Sequence, residues 1–123
     1  MKKIYVAHSR NFDFKNDLYA PIRNSSLITK YKIILPHEKE KFINSKETIK
    51  NSDVVIAEVS YPSTGLGIEL GWANILEVPI IFIYKRDSKL SSSLKILSGN
   101  FIEYQDSTEL IEKLITVLSR MQK

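Results

Sequence analysis

The chain has no cysteine and little histidine, glycine or proline: two, four and four residues, respectively, among 123. The absence of cysteine excludes disulfides, cysteine-ligated zinc and thiol nucleophiles. The two histidines, His8 and His37, lie far apart in the sequence with no carboxylate at ligand spacing. We therefore predict no metal site and no cofactor.

Long hydrophobic runs are also missing. No apolar run approaches the roughly 20 residues that a membrane helix needs, so no membrane partner is expected. The run at residues 4–7, close behind Met1, is too short for a signal-peptide core. These features predict a cytoplasmic protein.

Charge is spread along the chain rather than clustered. Eighteen basic and 14 acidic side chains give a net charge of +4, and no arginine cluster or aromatic–basic interleaving is present. A nucleic-acid-binding surface is therefore weakly supported. A basic field also favours small phosphorylated ligands, and a lysine-rich solvated surface explains the same charge without any ligand.

Apolar runs of strand length alternate with segments of helical periodicity, within a length that suits one domain spanning 1–123. Pro21 interrupts the first helical segment, which is either kinked or a turn leading into a shorter helix. Ser107 is the expected N-cap of the last helix. The predicted strands are 3–8, 31–36, 53–59, 78–85 and 101–104, and the predicted helical segments are 13–28, 38–51, 66–77 and 107–121.

The strands are apolar throughout rather than alternating, which indicates that helices cover both faces of a mainly parallel sheet. This pattern predicts the α/β class, as one doubly wound, flavodoxin-like or Rossmann-like domain with five strands in the order 2-1-3-4-5. Ligands of such folds bind at the carboxyl ends of the strands, where the winding reverses. His8, Ser9 and Arg10 should therefore meet residues 58–67 at one cleft.

The stretch PSTGLGIELGWA, residues 62–73, lies between the third strand and its helix. Gly65 and Gly67 allow positive φ and close backbone approach, and the helix N-terminus favours an anion. The pattern matches neither a Walker A loop nor G-x-G-x-x-G. Glu69 has two readings: a favourable charge on the helix dipole, or a carboxylate acting at a sugar carbon beside a phosphate site.

Three further side chains have a structural and a functional interpretation. His8 is either a strand-end residue satisfied by a backbone carbonyl or a contact to phosphate or base. Arg10 is either exposed or a phosphate ligand, for which its guanidinium is suited. Trp72 fits a core or subunit-interface position better than a base-stacking one.

The segment DVVIAEVSYPSTGLGIELGWA, residues 53–73, resembles the nucleoside 2-deoxyribosyltransferase superfamily. The resemblance is closest to its branch of 2′-deoxynucleoside 5′-phosphate N-hydrolases, which has a strand ending in Ala-Glu, then Pro-Ser, Gly-x-Gly and Glu-Leu-Gly-x-Ala. IYVAHSR, residues 4–10, is similar to the opening strand of the same family.

The resemblance implies an enzyme that acts on the N-glycosidic bond of a nucleoside or its 5′-monophosphate, as a homodimer or higher homo-oligomer. Its implied catalytic residues are Glu69, as the nucleophile at the anomeric carbon or its electrostatic equivalent, and Tyr5 beside it. The implied phosphate contacts are Ser63, Gly65, Gly67, Ser9 and, toward a neighbouring subunit, Ser93 (or Ser91 or Ser92). The carboxylate of Glu58 is implied to support the site.

The sequence departs from the family pattern at position 45. The family places an aspartate eight residues before the position of Asp53, where it assists the leaving base or holds the sugar; here that position is Ser45. A serine hydroxyl cannot act as a general acid near neutral pH. Glu47 is the nearest acid, so either Glu47 substitutes for the aspartate or the substrate differs from that of the family. His8 also stands where the family prefers a small residue.

Three functions remain open from the sequence. The first is an N-glycosidic hydrolase or transferase with Glu69 at the sugar. The second, motivated by Ser45, is a nucleotide-binding or sensing module without turnover. The third is another N-ribohydrolase, of the phosphoribohydrolase or NAD-cleaving type, since such enzymes also place a glutamate after a glycine-rich turn.

Overall fold

The computed structural model describes residues 1–97 and 99–121, which form a five-stranded sheet with helices on both faces. All neighbouring strands pair in parallel, in the order β2-β1-β3-β4-β5, so the predicted fold class and strand order are confirmed. The strands are β1 Lys3–His8, β2 Lys32–Ile34, β3 Val54–Glu58, β4 Ile80–Lys85 and β5 Asn100–Tyr104.

The helices connect the strands in turn. Lys15–Tyr19 forms a π-helical turn that continues directly into α1. Pro21 is the second residue of α1, and proline is tolerated in the first turn of an α-helix. A 3₁₀ turn at Ser92–Ile96 precedes β5. The α-helices are α1 Ala20–Arg23, α2 Leu27–Lys30, α3 Ser45–Lys50, α4 Thr64–Ile75 and α5 Ser107–Met121.

Alternate residues of each central strand enter two separate cores. Ile4 and Val6 of β1 pack with α5 and the helical segments at 15–30, while Tyr5 and Ala7 pack with α3 and α4. Both faces of the sheet are therefore apolar, which explains why the strands read as continuous hydrophobic runs. None of the helices in the described ranges has the length and apolarity that crossing a bilayer requires.

The helix predicted over 38–51 is much shorter than expected. Only Ser45–Lys50 is helical, and the side chain of Asn44 caps it by accepting the Glu47 N–H at 3.1 Å. Residues 38–42 are exposed, so a helix there would bury no apolar face to offset the cost of ordering it. This irregular segment connects β2 to α3 along the edge where the candidate site lies.

The predicted N-cap of the last helix is off by one residue. Asp106 caps α5, because its carboxylate accepts the Glu109 N–H at 2.9 Å, and Ser107 is the first helical residue. A carboxylate at this position also complements the positive end of the helix dipole.

Candidate active site

The candidate site is a pocket at the carboxyl ends of β1 and β3, where the winding of the sheet reverses. We call this cavity of about 430 Å³ the Glu69 pocket. The predicted residues that line it come from three segments of the chain: the end of β1, the start of α3, and α4 with its N-cap. They are His8, Arg10, Ser63, Gly65 and Glu69, with Ser45 and Trp72 from the helices beside it.

Tyr5 and Glu69 form a hydrogen-bonded pair in this pocket. The buried Tyr5 hydroxyl donates to Oε2 of Glu69 at 2.6 Å. Burial raises the pKa of Glu69, while hydrogen bonding from Tyr5 and Ser45 lowers it. Burial and the Glu69 charge raise the pKa of Tyr5, so the phenol keeps its proton and stays a donor.

Glu69 lies deeper in its helix than the sequence suggested. Because α4 begins at Thr64, Glu69 is in the second turn, whereas the stabilisation of an acidic group by the dipole falls off within the first. The favourable-charge interpretation therefore does not account for this residue. Tyr5, not the helix terminus, is its polar partner.

Ser45, where the sequence departs from the family pattern, lies beside Tyr5 and Glu69. It is half-buried at the first position of α3, lines the Glu69 pocket, and lowers the pKa of both Tyr5 and Glu69. Glu47 is exposed and borders a separate cavity with Lys46 and Lys50, and it is absent from the lining of the Glu69 pocket, so its supporting role stays a prediction.

The two glycines at positions 65 and 67 act differently from the prediction. Ser63 is the N-cap of α4, and its hydroxyl accepts the Leu66 N–H at 3.3 Å. Gly65 and Gly67 are already helical, and neither has a positive φ. A Cβ at either would meet no atom within 4 Å. Glycine therefore leaves open space beside the first turn rather than shaping a turn.

Ser63 borders a second cavity of about 380 Å³, which we call the α4 cleft. Gly67 and Ser93 line this cleft and are absent from the lining of the Glu69 pocket. Ser93 lies in the 3₁₀ turn at 92–96 and is exposed. Its predicted contact with a neighbouring subunit stays a prediction.

Ser9 is buried rather than facing the pocket. Its hydroxyl accepts the Asn11 N–H at 3.0 Å and so holds the turn after β1. Asn11 and Arg10 line the pocket instead, and Arg10 is exposed there. The positive charge expected beside a phosphate is thus present, while the Ser9 hydroxyl already has a backbone partner.

Both ring nitrogens of His8 are engaged within the protein. Nδ1 lies 2.7 Å from the Ser9 carbonyl, which only accepts, so Nδ1 carries the proton. Nε2 then accepts a hydrogen bond from the Tyr19 hydroxyl at 2.6 Å. That hydroxyl in turn accepts a hydrogen bond from the backbone N–H of His37 at 2.9 Å. Burial lowers the pKa of His8 to about 4. The structure favours the satisfied strand-end interpretation of His8.

The two histidines lie side by side although they are far apart in the sequence. The ring centroids of His8 and His37 are 5.4 Å apart, and His37 lines the Glu69 pocket. Sequence reasoning did not place His37, Asn11 or Tyr19 at the site, because they reach it from three different places: the irregular segment after β2, the turn after β1 and the π-helical turn at 15–19. Across 1–97 and 99–121, no group of three or more histidine, aspartate or glutamate side chains could hold a metal ion.

Glu58 lies on the other side of the sheet. It is fully buried at the end of β3 and accepts hydrogen bonds from the Tyr104 hydroxyl and the Ser60 N–H. Tyr104 belongs to the core shared with α5, whereas Tyr5 belongs to the core shared with α4. Glu58 is absent from the lining of the Glu69 pocket and links β3 to β5 through Tyr104, so its supporting role stays a prediction.

The chain is similar to known nucleotide N-hydrolases, although no family model matches it. It is 35% identical over 86 residues to a protein of Thermofilum pendens named "Putative 2′-deoxynucleoside 5′-phosphate N-hydrolase 1", covering 65% of this chain and 59% of that one. It is 39% identical over 86 residues to the 5-hydroxymethyl-dUMP N-hydrolase of Mus musculus, covering 66% and 49%. The chain thus spans about half the length of the relatives it matches.

A solved structure shares the fold. The CMP N-glycosidase BcmB of Clostridium botulinum superimposes with a TM-score of 0.69 at 21% identity, covering 94% of this chain and 99% of that one. This likeness confirms the α/β architecture. The similarity to the N-hydrolases confirms the family resemblance that residues 53–73 carry.

Proposed function

We propose that this chain cleaves or exchanges the N-glycosidic bond of a nucleoside 5′-monophosphate, or of the nucleoside itself, in the Glu69 pocket. The observation that carries the proposal is the 2.6 Å hydrogen bond from Tyr5 to Glu69 in a cavity at the switch point of the sheet. The names of the similar N-hydrolases support the same reaction.

The N-terminus of α4 suits the phosphate end of such a substrate. The first N–H groups of a helix have no intrahelical partner and favour an anion. The Ser63 hydroxyl accepts one of these N–H groups, that of Leu66, and Gly65 leaves open space beside the same first turn. Arg10, on the same pocket, adds a full positive charge.

Glu69 suits the sugar end. It lies six residues after Ser63, roughly 9 Å along the helix axis, a distance comparable with the length of a pentose 5′-phosphate. Its ionised carboxylate would attack the anomeric carbon or stabilise the positive charge that develops there. Tyr5 would hold one carboxylate oxygen by its hydrogen bond and leave the other toward the sugar. Water as acceptor gives hydrolysis, and a second base gives transfer.

A nucleotide-binding module without turnover is the second candidate. Ser45 favours it, because the pocket lacks the acid that the family resemblance implies at this position. Such a module would bind nucleoside monophosphates through the same phosphate end and release no base.

The test is a panel of ribo- and deoxynucleoside 5′-monophosphates and the matching nucleosides, with free base measured by chromatography. Base release from at least one compound supports the enzyme. Thermal stabilisation by a nucleotide without base release would favour the binding module. Cleavage confined to ribonucleotides, or to NAD added to the panel, would instead indicate another N-ribohydrolase. Neither base release nor stabilisation with any compound would overturn both candidates.

We also propose that the chain works as a homodimer or higher oligomer. Ile68 and Ile75 on α4 and Ile96 beside the α4 cleft are exposed, and together they give this side of the protein an apolar character. Light scattering coupled to gel filtration checks the oligomeric state. A monomeric mass at micromolar concentration would contradict the proposal.

A further inference from the structure

The two strands at the switch point stop pairing before the loops that carry the phosphate end. β1 and β3 pair as far as His8 and Glu58, and the ladder ends there. The turn after β1 presents Arg10, and the loop after β3 leads to Ser63 at the start of α4. The ladder hydrogen bonds therefore do not set the distance between the two groups that a phosphate would contact together.

A stacked pair of aromatic rings joins these two loops beyond the ladder. The ring centroids of Phe12 and Tyr61 are 4.6 Å apart, and the ring planes are 15° from parallel. Phe12 follows Arg10 by two residues, and Tyr61 precedes Ser63 by two residues. Both rings are half-buried, and neither is in the lining of the Glu69 pocket. The pair is thus placed to hold the loops together from outside the pocket.

Each ring of the stack has a further contact with the sheet. The ring of His8, at the end of β1, meets Phe12 edge-on with the centroids 6.0 Å apart. The ammonium nitrogen of Lys85, at the end of β4, lies 6.0 Å from the centroid of the Tyr61 ring. Ser60, next to Tyr61, accepts the backbone N–H of Lys85 at 2.7 Å through its hydroxyl. The stack is therefore anchored to the sheet on both of its sides.

A fixed distance matters at the phosphate end because two groups from different loops must act on one anion. The first N–H groups of α4 and the guanidinium of Arg10 would each donate hydrogen bonds to the phosphate. If the two loops moved independently, binding would have to order them and would lose affinity by that cost. A contact that orders the loops beforehand removes this cost.

Resting on the proposed function, we infer that Phe12 and Tyr61 are positioning residues for the 5′-phosphate, whose stack sets the distance between Arg10 and the N-terminus of α4. The sugar end does not depend on this stack. Its hydrogen bond joins Tyr5, in the middle of β1, to Glu69, in the second turn of α4. Loss of the stack therefore weakens the binding of the phosphate and leaves the chemistry at the sugar unchanged.

The experiment uses the nucleoside 5′-monophosphate that wild type cleaves best and the matching nucleoside, and measures kcat and KM for each. Where the nucleoside is not cleaved, its inhibition constant against the nucleotide replaces KM. Tyr61→Leu should raise KM for the nucleotide about three- to tenfold, the range that the loss of one aromatic pair corresponds to. The kcat for the nucleotide and all constants for the nucleoside should stay within about twofold.

Two further variants show that the stack itself is responsible. Phe12→Leu should have the same effect as Tyr61→Leu, and the double variant should be little worse than either, because the contribution of the pair is lost only once. Tyr61→Phe keeps the ring and should stay within about twofold of wild type. If one of the leucine variants does not fold, as judged by its melting curve, the other decides.

The chain offers a matched control in a second stacked pair. The rings of Phe82 and Phe101, on β4 and β5, have their centroids 4.4 Å apart and their planes 13° from parallel. Neither ring is in the lining of the Glu69 pocket. Phe101→Leu removes this stack and should leave the ratio of the nucleotide and nucleoside constants within about twofold of wild type.

The outcomes separate the inference from the proposed function. An unchanged KM for the nucleotide in Tyr61→Leu, or an equal rise for the nucleoside, would overturn the inference while the proposed function stands. The same would follow if Phe101→Leu changed the ratio as much. Absence of base release would overturn the proposed enzyme, and dissociation constants from titration calorimetry would then test the stack by the same ratio. If wild type bound neither compound, the inference would also fall.

Discussion

The hydroxyl of Tyr5 donates a 2.6 Å hydrogen bond to Glu69, which lies 64 residues further along the chain. Tyr5 is in the middle of β1 and points to the face that α4 covers, so its ring is held by the core. The bond holds one carboxylate oxygen of a residue that lines the Glu69 pocket. The proposed chemistry depends on this relationship.

Tyr5→Phe keeps the buried ring and removes the hydrogen bond. We expect kcat to fall about 10- to 100-fold, because hydrogen bonds to charged groups contribute about 1.5–3 kcal/mol. The bond also lowers the pKa of Glu69, so its loss raises that pKa and should move the acidic limb of the pH–rate profile to higher pH. Steady-state kinetics across pH measure both effects.

Tyr31→Phe is the matched control for this change, since Tyr31 is buried outside the pocket. It should leave the profile unchanged. An unaltered kcat and acidic limb in Tyr5→Phe would show that the hydrogen bond has no part in catalysis.

His8 should make stability depend on pH. Its pKa is about 4 in the folded protein against 6.5 for the free side chain, so the unfolded chain binds more protons between these values. The contribution is fully present above about pH 6.5 and is lost as pH falls toward 4. The free energy of unfolding should drop by up to about 3 kcal/mol over this range, measured by urea denaturation.

His8→Asn cannot titrate and should flatten this dependence, whereas His37→Asn, at a less buried position, should flatten it less. If His8→Asn kept the full dependence on pH, the buried hydrogen-bonded histidine would not be its cause.

Tyr104→Phe tests the structural role of Glu58. The change leaves a fully buried carboxyl without one of its two donors, and it should lower the free energy of unfolding by about 1–3 kcal/mol. Burial raises the pKa of Glu58 above its ordinary value, so the cost is greatest where the group is ionised and shrinks as pH falls. Denaturation at pH 8 and pH 5 measures the difference.

Tyr84→Phe, at a half-buried position on β4, is the control and should cost less at both pH values. Base release by Tyr104→Phe at a temperature where it is folded should match wild type. A large loss of activity would return Glu58 to the active site.

The sheet could be predicted from the sequence because its signal is local. Each central strand is buried on both faces, and such strands read as short β-branched runs between turns. The strand order followed from the number of strands and the rules of doubly wound folds. The extent of α3 could not be predicted. Phe42 and Ile43 fit a helical pattern in the sequence, but the sequence does not show that the side chain of Phe42 is exposed to solvent.

The site could be predicted only in part, because much of it depends on contacts between distant segments. Residues 62–73 indicated Glu69 and Ser63 through their place between strand and helix. The hydrogen-bond network around His8 could not be predicted in this way, because Tyr19 and His37 come from two other segments of the chain. The partners of Glu58 could not be predicted either, because Tyr104 reaches it from β5, 46 residues further along the chain.

The account depends most directly on Glu69. We predict that wild type releases base from a nucleoside 5′-monophosphate, and that Glu69→Gln lowers kcat/KM by about 100-fold or more while keeping the fold and the Tyr5 contact. Glu112→Gln, on the exposed side of α5, should match wild type. Undiminished base release by Glu69→Gln would contradict the central claim.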